Sequence, residues 1–162
     1  MTRVFAAALG LCLLAGTAGR ALDRLEFTVA GGSKALEKEL RAASILLALQ
    51  KSGAVAAQDL FADARAEYAS LLDALYARGH YSAVIHVYID GVEAAAIAPL
   101  DAPSVISVVK VVVDPGPAFR FSRASVTPLA GGSEIPRGFA VGKPAESGVV
   151  LEAVTAGVNG WR

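Results

Sequence analysis

The stretch that decides the fold runs Leu72-Asp73-Ala74-Leu75-Tyr76-Ala77-Arg78-Gly79-His80-Tyr81 and continues into Ser82-Ala83-Val84-Ile85-His86-Val87-Tyr88-Ile89. Its first part closes a helical pattern. Phe61, Ala64, Tyr68, Leu71, Leu72 and Leu75 recur at steps of three and four, while Asp59, Asp63, Arg65, Glu67 and Asp73 fill the other side. The spacing predicts a helix from about Ala57 to Arg78, with Tyr68, Leu71, Leu72 and Leu75 as a core stripe. Gly79 ends it as a C-terminal glycine does. The period then changes to two. Ser82–Ile89 is predicted as a strand, with Ile85, Val87 and Ile89 on one face and Val84, His86 and Tyr88 on the other.

Upstream, Arg24-Leu25-Glu26-Phe27-Thr28-Val29 alternates polar and apolar, which predicts a half-buried strand. Ala30-Gly31-Gly32 ends it, and Ser33 is placed to cap a helix over Lys34–Ser44 with Leu36, Leu40, Ala43 and Leu47 on one stripe. Gln50-Lys51-Ser52-Gly53 breaks that pattern. Downstream, Asp90-Gly91 is a turn signal. Val92–Ser104 has no clear period and reads as a partly extended connection. Val105–Val113 carries aliphatics on both faces, with Lys110 the exception, and is expected to be central and buried on much of both sides. All seven prolines lie after residue 98, so the second part of the chain must be strands and loops. The order to this point is β-α-α-β-β.

Asp114-Pro115-Gly116-Pro117 stops the pattern, and Phe119–Val126 alternates again as an expected strand. Ala-Gly-Gly-Ser at 30–33 recurs at 130–133, a sign of a repeat. A Pro/Gly-rich loop follows over Ile135–Ala145. Ser147 is then placed to cap a short helix containing Val149, Val150, Ala153 and Val154.

Composition bounds the function. The 162 residues are 54% hydrophobic and 19% charged, with 15 basic and 15 acidic side chains, which excludes a disordered tail and a basic nucleic-acid-binding surface. The single Cys12 excludes a disulfide framework and a multi-thiolate metal site. Residues 1–21 have the layout of a signal peptide: Arg3, an apolar or small run from Val4 to Leu14, and small residues allowing cleavage after Ala18 or Ala21. The run is short of the roughly 20 residues a membrane span needs. Leu11 before Cys12 does not suit lipidation. Without residues 1–21 the chain is net −2, with −4 over 22–118 and +2 over 119–162.

Catalytic chemistry is sparse. His80 and His86 are the two histidines, no carboxylate near them has metal-ligand spacing, and there is no Gly-x-Ser-x-Gly elbow or Walker loop. The expectation is a non-enzyme with no catalytic, cofactor-binding or metal site. The runner-up is a secreted small-molecule or cell-wall-binding α+β domain.

The β-α-α-β-β order behind a signal peptide resembles a POTRA (polypeptide-transport-associated) domain. The resemblance is carried by Leu72–Tyr81 leading into Val84-Ile85-His86-Val87, and by Asp114-Pro115-Gly116-Pro117 with Phe119 and Phe121, which is similar to a junction between two such domains. Asp90-Gly91 with Ile97-Ala98-Pro99-Leu100 resembles the first POTRA domain of TamA-type proteins, subunits of the translocation and assembly module in the BamA/TamA outer-membrane superfamily. The resemblance implies an α+β fold in which a three-stranded sheet carries two helices on one face over residues 22–118. It also implies the start of a second, truncated domain over 119–162. It implies a periplasmic location, unfolded outer-membrane or autotransporter clients, and a TamB-like inner-membrane partner. A C-terminal transmembrane β-barrel also belongs to that family, and no run of alternating ten-residue strands follows residue 130. The strand Ser82–Ile89 is implied to lie at the sheet edge. Val84, Ile85, His86, Val87, Tyr88 and Ile89 are therefore the candidate partner-binding residues. Unpaired N–H and C=O groups there would add an extended client segment to the sheet, with Val84, His86 and Tyr88 giving a weak side-chain preference.

Overall fold

The computed structural model describes residues 22–53 and 56–161. The expected signal peptide lies outside the described residues. The described residues are α+β, with a four-stranded mixed sheet and four α-helices among them. The elements are β1 (Arg24–Val29), α1 (Lys34–Ala43), α2 (Ile45–Ser52), α3 (Ala57–Tyr76), β2 (Val84–Ile89), β3 (Val92–Glu93), β4 (Val108–Asp114) and α4 (Ser147–Asn159). Two short 3-10 turns, Ala94–Ala96 and Pro99–Asp101, lead from β3 toward β4.

The strand order is β1-β4-β2-β3. β4 runs parallel to β1, in register Arg24 with Val108 through Val29 with Val113, and antiparallel to β2, in register Val84 with Asp114 through Ile89 with Val109. β4 is central, as its aliphatic content implies. It is nevertheless buried on one face only. Val109, Val111 and Val113 are buried, whereas Lys110 and Asp114 are exposed. The buried face packs under α1, α2 and α3, where Leu36, Leu40, Leu46, Leu60, Leu71 and Leu75 meet Phe27, Val87 and Ile89. Burying each of these side chains contributes on the order of 1.5–3 kcal/mol. Arg24, Thr28, Val84 and Lys110 lie exposed on the opposite face.

Three expectations are corrected here. The sheet has four strands rather than three, because Asp90 (φ 47°) and Gly91 (φ 88°) form a two-residue turn with both central residues left-handed. That turn folds Val92 and Glu93 back onto Ile89 and Tyr88. Asp90 fixes the turn further, its carboxylate accepting from the N–H groups of Ser107 (3.2 Å) and Val108 (2.7 Å). The helical layer before β2 has three helices rather than two. The first stops at Ser44 (ψ 119°), whose side chain accepts from the Leu47 N–H and starts α2. The break is held from α3. Buried Glu67 accepts through Oε2 from the N–H groups of Ile45 (2.7 Å) and Leu46 (3.2 Å), donors that a helix start leaves without partners.

Thirdly, Phe119–Val126 does not form a strand, and one bridge pairs Arg120 with Pro144. Around it the Phe119 N–H donates to the Gly79 carbonyl (2.9 Å), the Ala145 N–H to the Phe119 carbonyl (3.0 Å) and the Phe121 N–H to the Lys143 carbonyl (3.0 Å). The alternating aromatics are consumed by ring packing: Phe119 against Tyr81 (6.0 Å between centroids) and Phe121 against Phe139 (5.1 Å). The two Ala-Gly-Gly-Ser copies also differ. Ser33 caps α1 by accepting from the Leu36 N–H, whereas Ser133 turns back to donate to the Ala130 carbonyl and no helix starts from it.

The helix-to-strand corner follows the sequence closely. α3 ends at Tyr76, and Gly79 takes φ +77°. A Cβ there would stand 3.2 Å from the Ala145 carbonyl oxygen and 3.3 Å from that of Phe119, so the glycine both turns the chain and admits the crossing segment. Tyr81 donates to the Ala145 carbonyl (2.6 Å) and packs on Tyr76 (4.9 Å between centroids).

Candidate functional site

β2 leaves the Gly79 corner with its backbone groups alternating between two sides. The Asp90 N–H donates to the Val108 carbonyl (2.8 Å), so the even-numbered residues Val84, His86 and Tyr88 direct their backbone groups toward β4. Ile85, Val87 and Ile89 direct theirs toward the opposite margin. These three meet three different situations. Ile89 pairs with Val92 of β3. The Val87 N–H donates to Glu93 Oε1 (3.1 Å), with the Tyr68 hydroxyl 3.3 Å from both the N and the O of Val87. Among the described residues, nothing hydrogen-bonds to Ile85 on that side.

The expected edge strand is therefore corrected in its extent. Over Tyr88 and Ile89 it is an inner strand, paired on both margins. At Val87 it is closed by side chains. Over Val84–His86 it has a strand on one margin only. Of the six candidate residues, Val84 is 50% exposed, Ile85, His86 and Tyr88 are half-buried, and Val87 and Ile89 are buried by side chain. The imidazole of His86 stacks on the Tyr88 ring (5.6 Å, 19° between planes) on the open face of the sheet, beside Val84.

Two residues of the site escape a sequence reading. Tyr68 belongs to the helical stripe of α3 and reads as core, yet its hydroxyl must find a partner where the ring is buried. It donates to Glu93 Oε1 and reaches Val87. Glu93 stands in a segment without period, so no spacing marks it. Its other oxygen, Oε2, bonds His86 Nδ1 (3.0 Å). Burial and the neighbouring Glu93 carboxylate push the Tyr68 hydroxyl up to about 12. For Glu93, burial by itself favours the neutral acid. The hydrogen bonds from Tyr68, the Val87 N–H and His86 outweigh it and hold the carboxyl below its ordinary value of 4.5. The cluster is thus a carboxylate accepting from three donors, and its chemistry is that of a hydrogen-bonded clamp.

The structure does not bring the two histidines together. His80 Nδ1 lies 3.1 Å from the Pro115 carbonyl and 3.2 Å from that of Gly116, at the corner, while His86 lies within β2. Among the described residues, no group of three or more His, Cys, Asp or Glu side chains is arranged to hold a metal ion. A shallow cleft of about 200 Å³ is lined by Ser33, Ala35, Leu36, Glu39, Arg78 and His80. Its cation is already committed, because Arg78 forks onto both Glu39 oxygens (2.6 and 2.7 Å). No protein-family model matches the sequence, and no curated protein matches it significantly.

Proposed function

We propose that this chain provides a POTRA-like module on the periplasmic side of an outer-membrane protein assembly or secretion apparatus, and that it holds extended client segments by adding them to the β2 margin. The observation that carries the reading is the outward N–H and C=O of Ile85, next to a half-strand, Val84–His86, with a neighbour on one side only. A guest segment pairing there gains backbone hydrogen bonds whatever its side chains are, which suits a receiver of many different clients. The exposed Val84 and the stacked His86–Tyr88 pair offer an apolar and aromatic surface for alternate side chains of the guest. The arrangement of β1, β4 and β2 under helices on one face, and the Gly79 corner, support the POTRA-like assignment. The TamB-like partner and the membrane barrel belong to this proposal only through the family resemblance.

The test is photo-crosslinking with a benzophenone side chain placed at Val84, His86 or, as a control on the far strand, Thr28. The unfolded segment of an outer-membrane β-barrel protein serves as the partner. Adducts at positions 84 and 86 with none at 28 are expected. Equal yields at all three positions, or none, overturn the reading.

A further inference from the structure

At Val87 the β2 margin is occupied by side chains that imitate a strand. In an antiparallel or parallel ladder, a residue facing a partner gives its N–H to a carbonyl and takes an N–H on its own carbonyl. Here the carboxylate of Glu93 sits where the carbonyl of a guest strand would be, accepting from the Val87 N–H at 3.1 Å. The Tyr68 hydroxyl occupies the donor's place, 3.3 Å from the Val87 carbonyl oxygen. Having one proton, it shares that proton with Glu93, and the charged carboxylate is the stronger acceptor. The Val87 carbonyl therefore receives the weaker bond.

Three elements hold the mimic. Glu93 comes from β3, Tyr68 from α3, and His86 from β2 itself on the Oε2 side. β3 is only two residues long, so the carboxylate is delivered by a short arm just past the Asp90-Gly91 turn. A guest that pairs with β2 beyond Ile85 must take the Val87 N–H and C=O for its own backbone, and it meets the Glu93 and Tyr68 side chains there. Resting on the proposed client-binding role of β2, we propose that Glu93 and Tyr68 form a removable strand mimic that gates the β2 margin. An extended polypeptide is the occupant that displaces it. The half-strand at Ile85 serves as the entry point, and the length of the paired segment is set by whether the mimic yields. A protected margin in the absence of clients follows directly, since an uncovered edge invites pairing between copies of the chain.

The experiment measures binding of an end-capped peptide, Lys-Val-Thr-Val-Thr-Val-Thr-Lys, to the full chain by fluorescence anisotropy and by amide chemical shifts of Ile85 and Val87. Glu93→Ala removes the carbonyl mimic and is expected to bind about tenfold more tightly, the equivalent of roughly 1.4 kcal/mol. Glu93→Gln keeps an acceptor oxygen for the Val87 N–H and is expected to bind within about twofold of the parent. Tyr68→Phe preserves the core ring and removes the donor, and is expected to bind about threefold more tightly. It also serves as the readout should Glu93→Ala fail to fold. Equal affinity of parent, Glu93→Ala and Tyr68→Phe, with Ile85 and Val87 shifting in each, overturns the gate and leaves the client-binding role of β2 intact. The absence of peptide-induced shifts at Ile85 and Val87 in every chain overturns that role and the gate with it.

Discussion

Glu67 is the residue whose burial has the clearest thermodynamic consequence. It is fully buried, with Oε2 holding the start of α2 and Oε1 without a partner among the described residues. Burial raises its carboxyl above 4.5 and the nearby Asp63 adds to the rise, against the hydrogen bonds from Ser44, Leu46 and Ile45. The folded state then holds the Glu67 proton to higher pH than the unfolded chain does. Stability from this group is complete below pH 4.5 and is lost as pH climbs from 4.5 through the raised folded value. Glu93 runs the other way, its contribution being lost as pH falls from 4.5 through its lowered folded value. Urea denaturation of the parent and Glu67→Gln across pH 4–8 is the check. The stability of the parent relative to Glu67→Gln is expected to fall with rising pH, whereas Glu67→Ala costs about 1–3 kcal/mol by leaving buried N–H groups unpaired. The sequence places Glu67 on the polar side of its helix. Its burial was not legible there, because the cause is a helix start 22 positions upstream in the chain.

At the scale of elements, the strands β1 and β2 and the long helix α3 are legible because their periods are clean and each buries one face, whereas β4 is legible from its aliphatic run, which does not show that only one of its faces is buried. Apart from β3, which folds back on its near neighbours across the Asp90-Gly91 turn, the pieces that were not legible owe their form to contacts distant in sequence. The split between α1 and α2 needs Glu67. β3 forms because Val92 and Glu93 have Ile89 and Tyr88 to pair with. Phe119 and Phe121 alternate like strand residues but spend that alternation on Tyr81 and Phe139. α4 is a subtler case. The sequence predicts a helix capped by Ser147 and containing Val149, Val150, Ala153 and Val154, yet Ser147 is its first residue with Glu146 at the N-cap, and of these four only Ala153 is buried. Ala153 and Gly157 are buried, and Gly157 lies close to Val126. Val150, Leu151, Val154 and Val158 face outward, with Leu151 68% exposed. Thermal unfolding of the full chain separates the two faces. Leu151→Glu is expected to change stability by no more than about 0.5 kcal/mol. Ala153→Leu is expected to destabilise by about 1–3 kcal/mol through overpacking. A large loss from Leu151→Glu would mean that this face is covered in solution.

For the whole molecule, a one-sided sheet has two margins, and both are partly closed by side chains. On the far margin β1 is the last strand. Arg24 and Ala30 donate toward Ser107 and Val113 on the β4 side, which directs the backbone N–H and C=O groups of Leu25, Phe27 and Val29 toward the outer margin. The Phe27 carbonyl accepts from Arg41 (3.0 Å), whose guanidinium also lies 5.2 Å from the centre of the Phe27 ring. The near margin is closed at Val87 by Glu93 and Tyr68 and at Ile89 by β3, which leaves Ile85 as the point of access. The α+β class and the central place of β4 could be read from the sequence, as could the Gly79 corner. The division of the β2 margin could not, since it depends on two side chains from α3 and β3 meeting at one peptide group. Amide hydrogen exchange of the full chain, with and without a saturating extended peptide, tests the account most directly. Protection of the Ile85 N–H by the peptide, with the Leu25 N–H on the β1 margin unchanged, is the predicted result. An unchanged Ile85, or protection at Leu25 in its place, contradicts it.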